Sequence, residues 1–211
     1  MDRKARDSQR KLKTRQRLLD AAAATFVRHG YHNTLISQIV ADADVGQGTF
    51  YRYFVDKRDV FSTLMAEFFQ QVLAQFDPMS QTLPTNVAEY EAASLSAINK
   101  SATILEEHFA LARLFIREGP AIDEAFAREM DGYYTAFAGL AKHFLEHAIA
   151  AGFARSCDPD VVSQCLIGMG LRLIDNAWGE GMLQDRPKQE IIEKAVDFAF
   201  RGMGRFDADD A

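Results

Sequence analysis

The sequence predicts an all-α protein. Through most of its 211 residues, apolar side chains recur at steps of three and four, which is the spacing of one face of an α-helix. The breaks between these segments carry glycine, proline or a capping Asp or Thr, as helix ends commonly do. No segment makes a convincing strand. We therefore expect about nine helices, and 48% hydrophobic residues indicate a globular chain rather than a disordered one.

Two helices are expected close together near the N-terminus. The first covers residues 13–29 and stops at Gly30, a residue that often ends helices. Thr34 directly precedes the next apolar run, where its hydroxyl can cap the free N–H groups of the second helix. That second helix buries one face, made of Ile36, Ile39 and Val40.

A turn over residues 43–46 leads into a third helix, in which Phe50 and Phe54 are four apart and share the buried face. Steps of about 100° per residue place Gly48 and Arg52 on the opposite, outward face. Two short helices joined in this way form a helix-turn-helix, which lays its second helix in the major groove. The pattern indicates that the partner is double-stranded DNA.

The outward residues suit both kinds of DNA contact. Arg52 is placed to read a base edge, usually guanine, and Gln47 can read adenine, while Gly48 lets the backbone approach the groove. Phosphate contacts, which set register without reading sequence, are expected from Thr34, Thr49, Tyr51, Tyr53 and Lys57. The alternative is a three-helix module whose exposed aromatic residues pack on a neighbouring domain.

These motifs resemble the DNA-binding domain of the TetR family of transcriptional regulators. The matching segments are residues 14–22, 26–31, 34–40, 48–54 and 56–61. The family pattern has Thr at the position of Thr34 and Lys at that of Lys57. Asp44 departs from it by standing where Gly is usual, so an Asp must carry a left-handed backbone there. Gly46 replaces a common Ser and removes the hydroxyl expected to contact a phosphate.

The resemblance implies two domains, a helix-turn-helix domain over residues 1–55 and a larger helical domain over residues 56–211 that binds an effector and dimerises. In the second domain, a long helix begins at Asp56 and ends near Phe76, before a loop over residues 80–85. Five further helices are expected over residues 86–108, 110–118, 121–151, 159–178 and 187–203. The tail over residues 207–211 is expected to be disordered.

The last two helices are suited to form a dimer interface, as they do in TetR-like proteins. Residues 165–171 are apolar around the whole helix, so they must be covered on two sides. The expected interface residues are Cys165, Leu166, Gly168, Met169, Leu173, Ile192, Val196, Ala199 and Met203. A homodimer doubles the DNA site into an inverted repeat. The alternative is that these faces only complete the core of a monomer.

An effector cavity is also implied by the resemblance. Aromatic and Met side chains with few polar anchors favour an apolar or aromatic small molecule. The candidate lining residues are Met65, Phe68, Phe69, Phe109, Phe115, Tyr133, Tyr134 and Phe137, with Arg117, Arg172 and Asp175 as polar anchors. The alternatives are an ordinary aromatic core and, for Arg172 with Asp175, an ion pair three residues apart.

The charge distribution supports a DNA partner although the net charge is −6. Residues 1–58 hold 12 Lys and Arg and 6 Asp and Glu, a net charge of +6. The rest of the chain holds 12 Lys and Arg and 24 Asp and Glu, a net charge of −12. A mobile basic arm is expected at the extreme N-terminus, from Arg3, Lys4, Arg6, Arg10, Lys11 and Lys13. The alternative for this arm is a solvated tail without a defined contact.

Other chemistry is weakly indicated. His143, Glu146 and His147 match an H-x-x-E-H zinc-peptidase pattern without a third ligand in context, so a zinc metallohydrolase is the rival hypothesis from another class. No pattern requires a cofactor, a metal or a membrane. Cys157 and Cys165 are expected to be free thiols, which with the missing secretory signal predicts a cytoplasmic protein.

We therefore expect a ligand-responsive repressor that a small apolar or aromatic molecule releases from its operator. A regulator that has no small-molecule effector is the third hypothesis.

Overall fold

The structure, a computed structural model, describes residues 3–203 and is all-α in this range. Its helices are α1 (Arg3–Asn33), α2 (Ile36–Asp42), α3 (Gln47–Phe50), α4 (Lys57–Leu73), α5 (Asp77–Gln81), α6 (Val87–Glu107), α7 (Phe109–Ile122), α8 (Glu124–Ala150), α9 (Pro159–Trp178) and α10 (Lys188–Met203). A single 3₁₀ turn, Ala74–Phe76, lies between α4 and α5. The predicted all-α class is confirmed.

Two differences from the predicted layout concern α5 and the N-terminus. The sequence predicts a helix end at the Asp77-Pro78 pair, but proline is also well placed in a first helical turn, and here it opens the short helix α5. The expected mobile arm is wrong as well, because α1 already begins at Arg3. The tail at residues 207–211, expected to be disordered, lies outside the described residues.

The predicted break at Gly30 is confirmed as an interruption within α1. Gly30 has φ 73° and ψ 167°, a conformation that is open almost only to glycine. The N–H of the next residue, Tyr31, donates a 3.0 Å hydrogen bond to Glu118 Oε2. A Cβ atom added at Gly30 would lie 3.3 Å from the same carboxylate oxygen. The sharp change of direction therefore depends on the missing side chain.

The chain packs as two compact units, and the first holds the predicted helix-turn-helix. It comprises the residues up to Phe69 together with His108–Met130, so α7 and the first turns of α8 belong to it. Phe61 is at the centre of its aromatic core, with ring centroids 5.0 Å from Phe26, 5.0 Å from Phe115 and 5.5 Å from Phe126. All four rings are completely buried. The boundary at residue 55 stays a prediction.

The second unit comprises Gln70–Glu107 and the residues from Asp131 onward. Within it α10 packs against α6, and Tyr90 of α6 contacts the rings of Phe144, Phe153 and Phe200. Burial raises the pKa of Tyr90 to about 12. Asp158 caps α9 through bonds from the N–H groups of Asp160 and Val161, as the Asp-Pro start of this helix predicts.

Replacing Gly30 by Ala should lower the free energy of unfolding by about 1–3 kcal/mol, because the new Cβ forces a left-handed backbone and approaches Glu118. Gly48→Ala is the matched control, since no heavy atom lies within 4 Å of its added Cβ. Urea unfolding monitored by circular dichroism measures both. An unchanged midpoint for Gly30→Ala would mean that the interruption of α1 does not depend on glycine.

Candidate nucleic-acid interface

The turn between α2 and α3 is closed by backbone hydrogen bonds around Asp44. The N–H of Asp44 donates to Ala41 O at 3.1 Å, and the N–H of Val45 donates to Val40 O at 3.0 Å, a pairing that usually has glycine at its left-handed residue. Asp44 has φ 49°, the one positive φ of a non-glycine residue among residues 3–203. The prediction that Asp44 carries a left-handed backbone is confirmed.

Side chains of α1 hold this turn in place. Arg17 Nη2 donates to Ala43 O at 2.5 Å and to Asp44 O at 3.3 Å. Asp42, the last residue of α2, accepts hydrogen bonds from Arg28 and Thr25, which lower the pKa of its carboxyl group. The turn is thus joined to α1 by several hydrogen bonds, and the start of α3 is positioned by it.

The inner and outer faces of α3 are those that the sequence predicts. Phe50 and Phe54 are buried, with ring centroids 5.7 Å apart. The side opposite them is open, with Gln47, Gly48, Tyr51 and Arg52 exposed and Thr49 and Tyr53 half-buried. The regular α-helix covers only Gln47–Phe50, but the N–H groups of residues 51–54 continue to donate to carbonyls three or four residues earlier. Gly46 caps α3 without a side-chain bond, as expected.

Arg52 is available for an external partner. Within the described range of residues 3–203, no carboxylate pairs with its guanidinium group. Its five N–H donors therefore remain open to an acceptor outside the chain, and a guanine edge offers two in the matching geometry. Tyr51, 54% exposed, lies next to it on the same outer surface.

Thr34 does not have the predicted geometry. Its side chain is 1% exposed, and its hydroxyl donates a 2.8 Å bond to Gly30 O. The residue at the start of α2 is Leu35, whose N–H donates to the Gln38 side chain at 2.8 Å. The predicted capping by Thr34 is therefore wrong, and the buried hydroxyl joins the start of α2 to the break in α1 instead of facing a phosphate.

Lys57 is likewise directed inward. Its Nζ donates to three backbone carbonyls, Tyr31 O at 2.7 Å, Thr34 O at 3.0 Å and His32 O at 3.1 Å, and lies 4.5 Å from the centroid of the Tyr31 ring. Burial lowers the pKa of its ammonium group. An ammonium has three N–H donors, and all three are used here. The geometry does not support the predicted phosphate contact; Lys57 fastens α4 to the end of α1.

The next residue, Arg58, fixes the same end of α4 to the start of α8. Its guanidinium pairs with Asp123 at 3.0 Å and with Glu129 at 3.4 Å, and lies 4.2 Å from the centroid of the Phe126 ring. The bond from Arg58 lowers the pKa of Asp123 to about 2, with backbone N–H groups adding to the effect. Charged side chains therefore brace α4 where it follows the helix-turn-helix.

Comparison with known proteins agrees with this geometry. Residues 18–64 match the family model of bacterial regulatory proteins, tetR family. This segment belongs to the tetR family of bacterial regulatory proteins. The matched residues extend from the buried part of α1 to the first half of α4, so they include the helix-turn-helix and Lys57.

Relatives with curated sequences are also regulators. The uncharacterized HTH-type transcriptional regulator YdgC of Bacillus subtilis (strain 168) is 29% identical over 159 residues, 75% of this chain and 77% of the relative. The fatty acid metabolism regulator protein of the same organism is 30% identical over 94 residues, 44% of this chain and 43% of the relative.

Several solved structures share the fold of this chain. The fatty acid degradation regulator FadR from Bacillus halodurans has a TM-score of 0.74 at 20% identity, covering 91% of this chain and 97% of FadR. A SmeT–triclosan complex has a TM-score of 0.70 at 19% identity, covering 92% of each chain. SmeT is the repressor of a multidrug efflux pump of Stenotrophomonas maltophilia.

The candidate effector residues fall in both units of the chain. In the first unit Met65, Phe68, Phe69 and Phe115 are buried, Phe109 is half-buried and Arg117 is exposed. In the second unit Tyr133, Tyr134 and Phe137 of α8 are half-buried. Arg172 pairs with Asp175 at 3.1 Å, as the ion-pair alternative predicts. A role of these residues in effector binding stays a prediction.

The candidate dimer residues divide into two groups. On α9, Cys165 and Gly168 are exposed and Leu166, Met169 and Leu173 are half-exposed, whereas Ala199 on α10 is half-buried. Ile192 and Val196 are 7% and 5% exposed within the single chain, so they belong to its core. The structure therefore does not support their predicted place in a dimer interface. The side chain of Met203 lies outside the described residues.

The expected interface residues leave out two exposed apolar residues in this region. Val161 of α9 is 58% exposed and Phe198 of α10 is 68% exposed. Val161 precedes Cys165 and Gly168 by four and seven residues, so the three share one face of α9. This spacing was readable, but it does not indicate by itself which face a neighbouring helix already covers.

The structure does not support the zinc alternative. A nitrogen of the His147 ring lies 2.7 Å from Pro84 O, and Glu146 is within 3.9 Å of Lys142. Residues 3–203 contain no group of three or more His, Cys, Asp or Glu side chains able to hold a metal ion. None of the helices in this part of the chain has both the length and the apolarity needed to cross a bilayer.

Lys57→Met should lower the free energy of unfolding by about 2–3 kcal/mol, because three backbone carbonyls, two of them in part-buried hydrogen bonds, lose a charged donor while the aliphatic stem is kept. Lys100→Met, on an exposed position of α6, is the control and should stay within about 0.5 kcal/mol of wild type. Denaturant titration measures both. Unchanged stability combined with weaker DNA binding would instead restore the phosphate role of Lys57.

Proposed function

We propose that this chain is a transcriptional repressor that binds an inverted-repeat operator as a homodimer and leaves it when a small apolar molecule binds. The observation that carries the proposal is the outer surface of α3. Gln47 and Arg52 are exposed there, on a helix whose inner face is anchored by Phe50 and Phe54. Side chains that read bases must be both open and rigidly held, and this surface meets both conditions.

The division of labour on this surface follows from side-chain chemistry. Arg52 offers a planar fork that matches the O6 and N7 atoms of guanine, and Gln47 offers both a donor and an acceptor for adenine. Tyr51, Thr49 and Tyr53 carry single hydroxyl groups that suit phosphate oxygens. Thr34 and Lys57 are left out of the proposed contacts because their polar atoms already bind the protein backbone.

Dimerisation through α9 and α10 completes the proposal. One α3 reads only a few base pairs, so useful specificity needs two copies on half-sites about 34–36 Å apart or a related spacing. The apolar residues left exposed on α9 and α10, Val161, Cys165, Gly168 and Phe198, supply a surface that a second copy can cover. A dimer of this kind has a two-fold axis, which an inverted-repeat operator matches.

An apolar effector is supported by the relatives and by composition. One relative is a fatty acid metabolism regulator, a structural neighbour is a fatty acid degradation regulator, and another neighbour was solved with triclosan. The proposed lining residues of α8, Tyr133, Tyr134 and Phe137, are aromatic. Release then follows from thermodynamic linkage. A ligand that favours the dimer whose α3 helices do not match the half-site spacing weakens operator binding, and the operator weakens ligand binding by the same factor.

Arg52→Ala should weaken binding to the selected operator by about 1–3 kcal/mol, relax specificity at one base position and leave random-duplex binding nearly unchanged. The operator is obtained by selecting duplexes from random sequence with the purified protein, and affinity is measured by fluorescence anisotropy over a salt series. Tyr51→Phe is the matched variant, which should weaken all sequences alike by removing a phosphate contact.

In the same experiment the specific complex should contain two or four chains on an inverted repeat. Equal losses of specific and random binding in Arg52→Ala would refute base reading by this residue. A selection that enriches no sequence would refute operator binding itself.

A long-chain fatty acid or triclosan, titrated into the protein–operator complex below its micelle or solubility limit, should lower operator affinity by roughly 5- to 150-fold, the usual range of allosteric coupling. Random-duplex binding is the control for denaturation by the amphiphile. A probe that binds the protein by calorimetry without changing operator affinity would contradict release by that ligand. Failure of both probes to bind would favour a regulator without an apolar effector.

A further inference from the structure

The N-terminal part of α1 extends beyond the packed helix-turn-helix. Every residue from Arg3 to Lys13 is exposed, and buried positions in α1 begin at Leu18. Eleven helical residues span about 16 Å at 1.5 Å per residue. An isolated helix of this length is marginal in water, because most helical stability comes from packing one face on a partner. The segment therefore lacks the apolar partner that ordinarily stabilises such a helix.

The basic residues of this segment form a stripe along one side of the helix. Arg3, Arg6, Arg10, Lys13 and Arg17 follow each other at steps of three, four, three and four residues, which keeps all five on one face. Lys4 and Lys11 lie on a different face, in line with the buried Leu18. Asp7 is the one acidic residue between residues 3 and 19.

The charges of the stripe are not neutralised by the protein. Among the described residues, no carboxylate pairs with Arg3, Arg6, Arg10 or Lys13. Four uncompensated positive charges within about three helical turns repel each other, and the helix N-terminus adds a partial positive charge. A polyanion with regularly spaced charges would relieve this repulsion along the whole stripe.

The stripe ends at the turn that precedes α3. Arg17, its last member, donates to Ala43 O at 2.5 Å, and α3 begins four residues after Ala43. The row of positive side chains therefore starts beside the turn of the helix-turn-helix and continues away from it along α1. This continuity with the proposed DNA surface selects duplex DNA from among possible polyanions.

We propose that Arg3, Arg6, Arg10 and Lys13 bind backbone phosphates of the duplex outside the bases that α3 reads. The inference rests on the proposed function and extends it, because it assigns a second contact region with no base specificity. Arginine and lysine on a helical face contact phosphates as donors and charges, release counterions and make binding salt-dependent. The footprint of each protomer is thereby longer than the major-groove contact of α3 alone.

The test compares two matched double variants. Arg6→Ala with Arg10→Ala removes two charges from the stripe, and Lys4→Ala with Lys11→Ala removes two charges from the other face of the same turns. Ala favours the helix in both. Each protein is titrated against a long duplex that extends beyond both half-sites and against one trimmed to the half-sites, over a salt series, with helicity checked by circular dichroism.

On the long duplex, the stripe variant should reduce the slope of log K against log salt by about 3.6, since the dimer loses two phosphate contacts in each protomer and each lost contact removes about 0.9. On the trimmed duplex the stripe variant should have the same slope as wild type. The Lys4/Lys11 variant should have the wild-type slope on both the long and the trimmed duplex. Equal slopes for all proteins on the long duplex would overturn the proposal. Equal losses for both double variants would also overturn it, because only net charge would then matter.

The same comparison on long and short random duplexes separates this inference from the proposed function. Phosphate contacts carry no sequence information, so the slope loss of the stripe variant should persist on long random DNA. If the stripe variant loses slope but no operator sequence is enriched, the inference holds and the proposed repressor function is refuted. A specific operator whose binding ignores the stripe would keep the repressor and refute the inference.

Discussion

The packing around the helix-turn-helix depends on one ammonium group, that of Lys57. The backbone carbonyls of Tyr31, His32 and Thr34 lie where α1 ends and α2 begins, so the regular helical ladder leaves them short of donors, and Tyr31 O accepts one turn bond from the N–H of Thr34 at 3.3 Å. A single Lys at the first residue of α4 donates to all three, and in doing so it fixes α4 against the segment that leads into α2 and α3. Glu118, from α7, completes the same junction by accepting the N–H of Tyr31. Lys57 and Glu118 thus supply partners for polar backbone groups at the interruption of α1, and their hydrogen bonds connect α4 and α7 to α1 and to the segment before α2.

The groups proposed to read DNA and the groups that hold the outer surface of α3 in place are separate sets in this protein. Arg52 and Gln47 face outward, whereas Arg17, Arg28 and Lys57 direct their donors to carbonyls and carboxylates of the same unit. Positive charge near the DNA surface is therefore an unreliable guide to contact with DNA. The two sets differ in whether the side chain has a hydrogen-bond or ion-pair partner within the described residues. Arg6 and Arg10, like Arg52, have no carboxylate partner there.

The buried and exposed faces of the helices could be predicted because they follow from periodicity alone. Ile39, Val40, Phe50 and Phe54 are buried as expected, and Asp44 adopts its left-handed conformation. The roles of Thr34 and Lys57 were not predictable, since their partners are backbone carbonyls whose positions depend on the tertiary fold. Ile192 and Val196 show a similar limit, because periodicity finds an apolar face but does not distinguish cover by the same chain from cover by a second copy. The helical start of α1 was missed although its stripe spacing was visible, because a highly charged segment with few apolar residues is typical of disorder.

The aromatic cluster around Phe61 has a consequence for how segments of this chain can be exchanged with those of its relatives. Phe26 and Phe61 come from the first third of the chain, but Phe115 and Phe126 come from beyond residue 107, and the four rings bury one another. The unit that contains the helix-turn-helix is therefore discontinuous in sequence and extends beyond residues 18–64, the segment that matches the family. A chimera that swaps only the N-terminal segment would join two halves of an aromatic core selected in different proteins. Exchange of DNA specificity should preserve packing best when α7 and the start of α8 travel with it, or when only the outer residues of α3 are replaced.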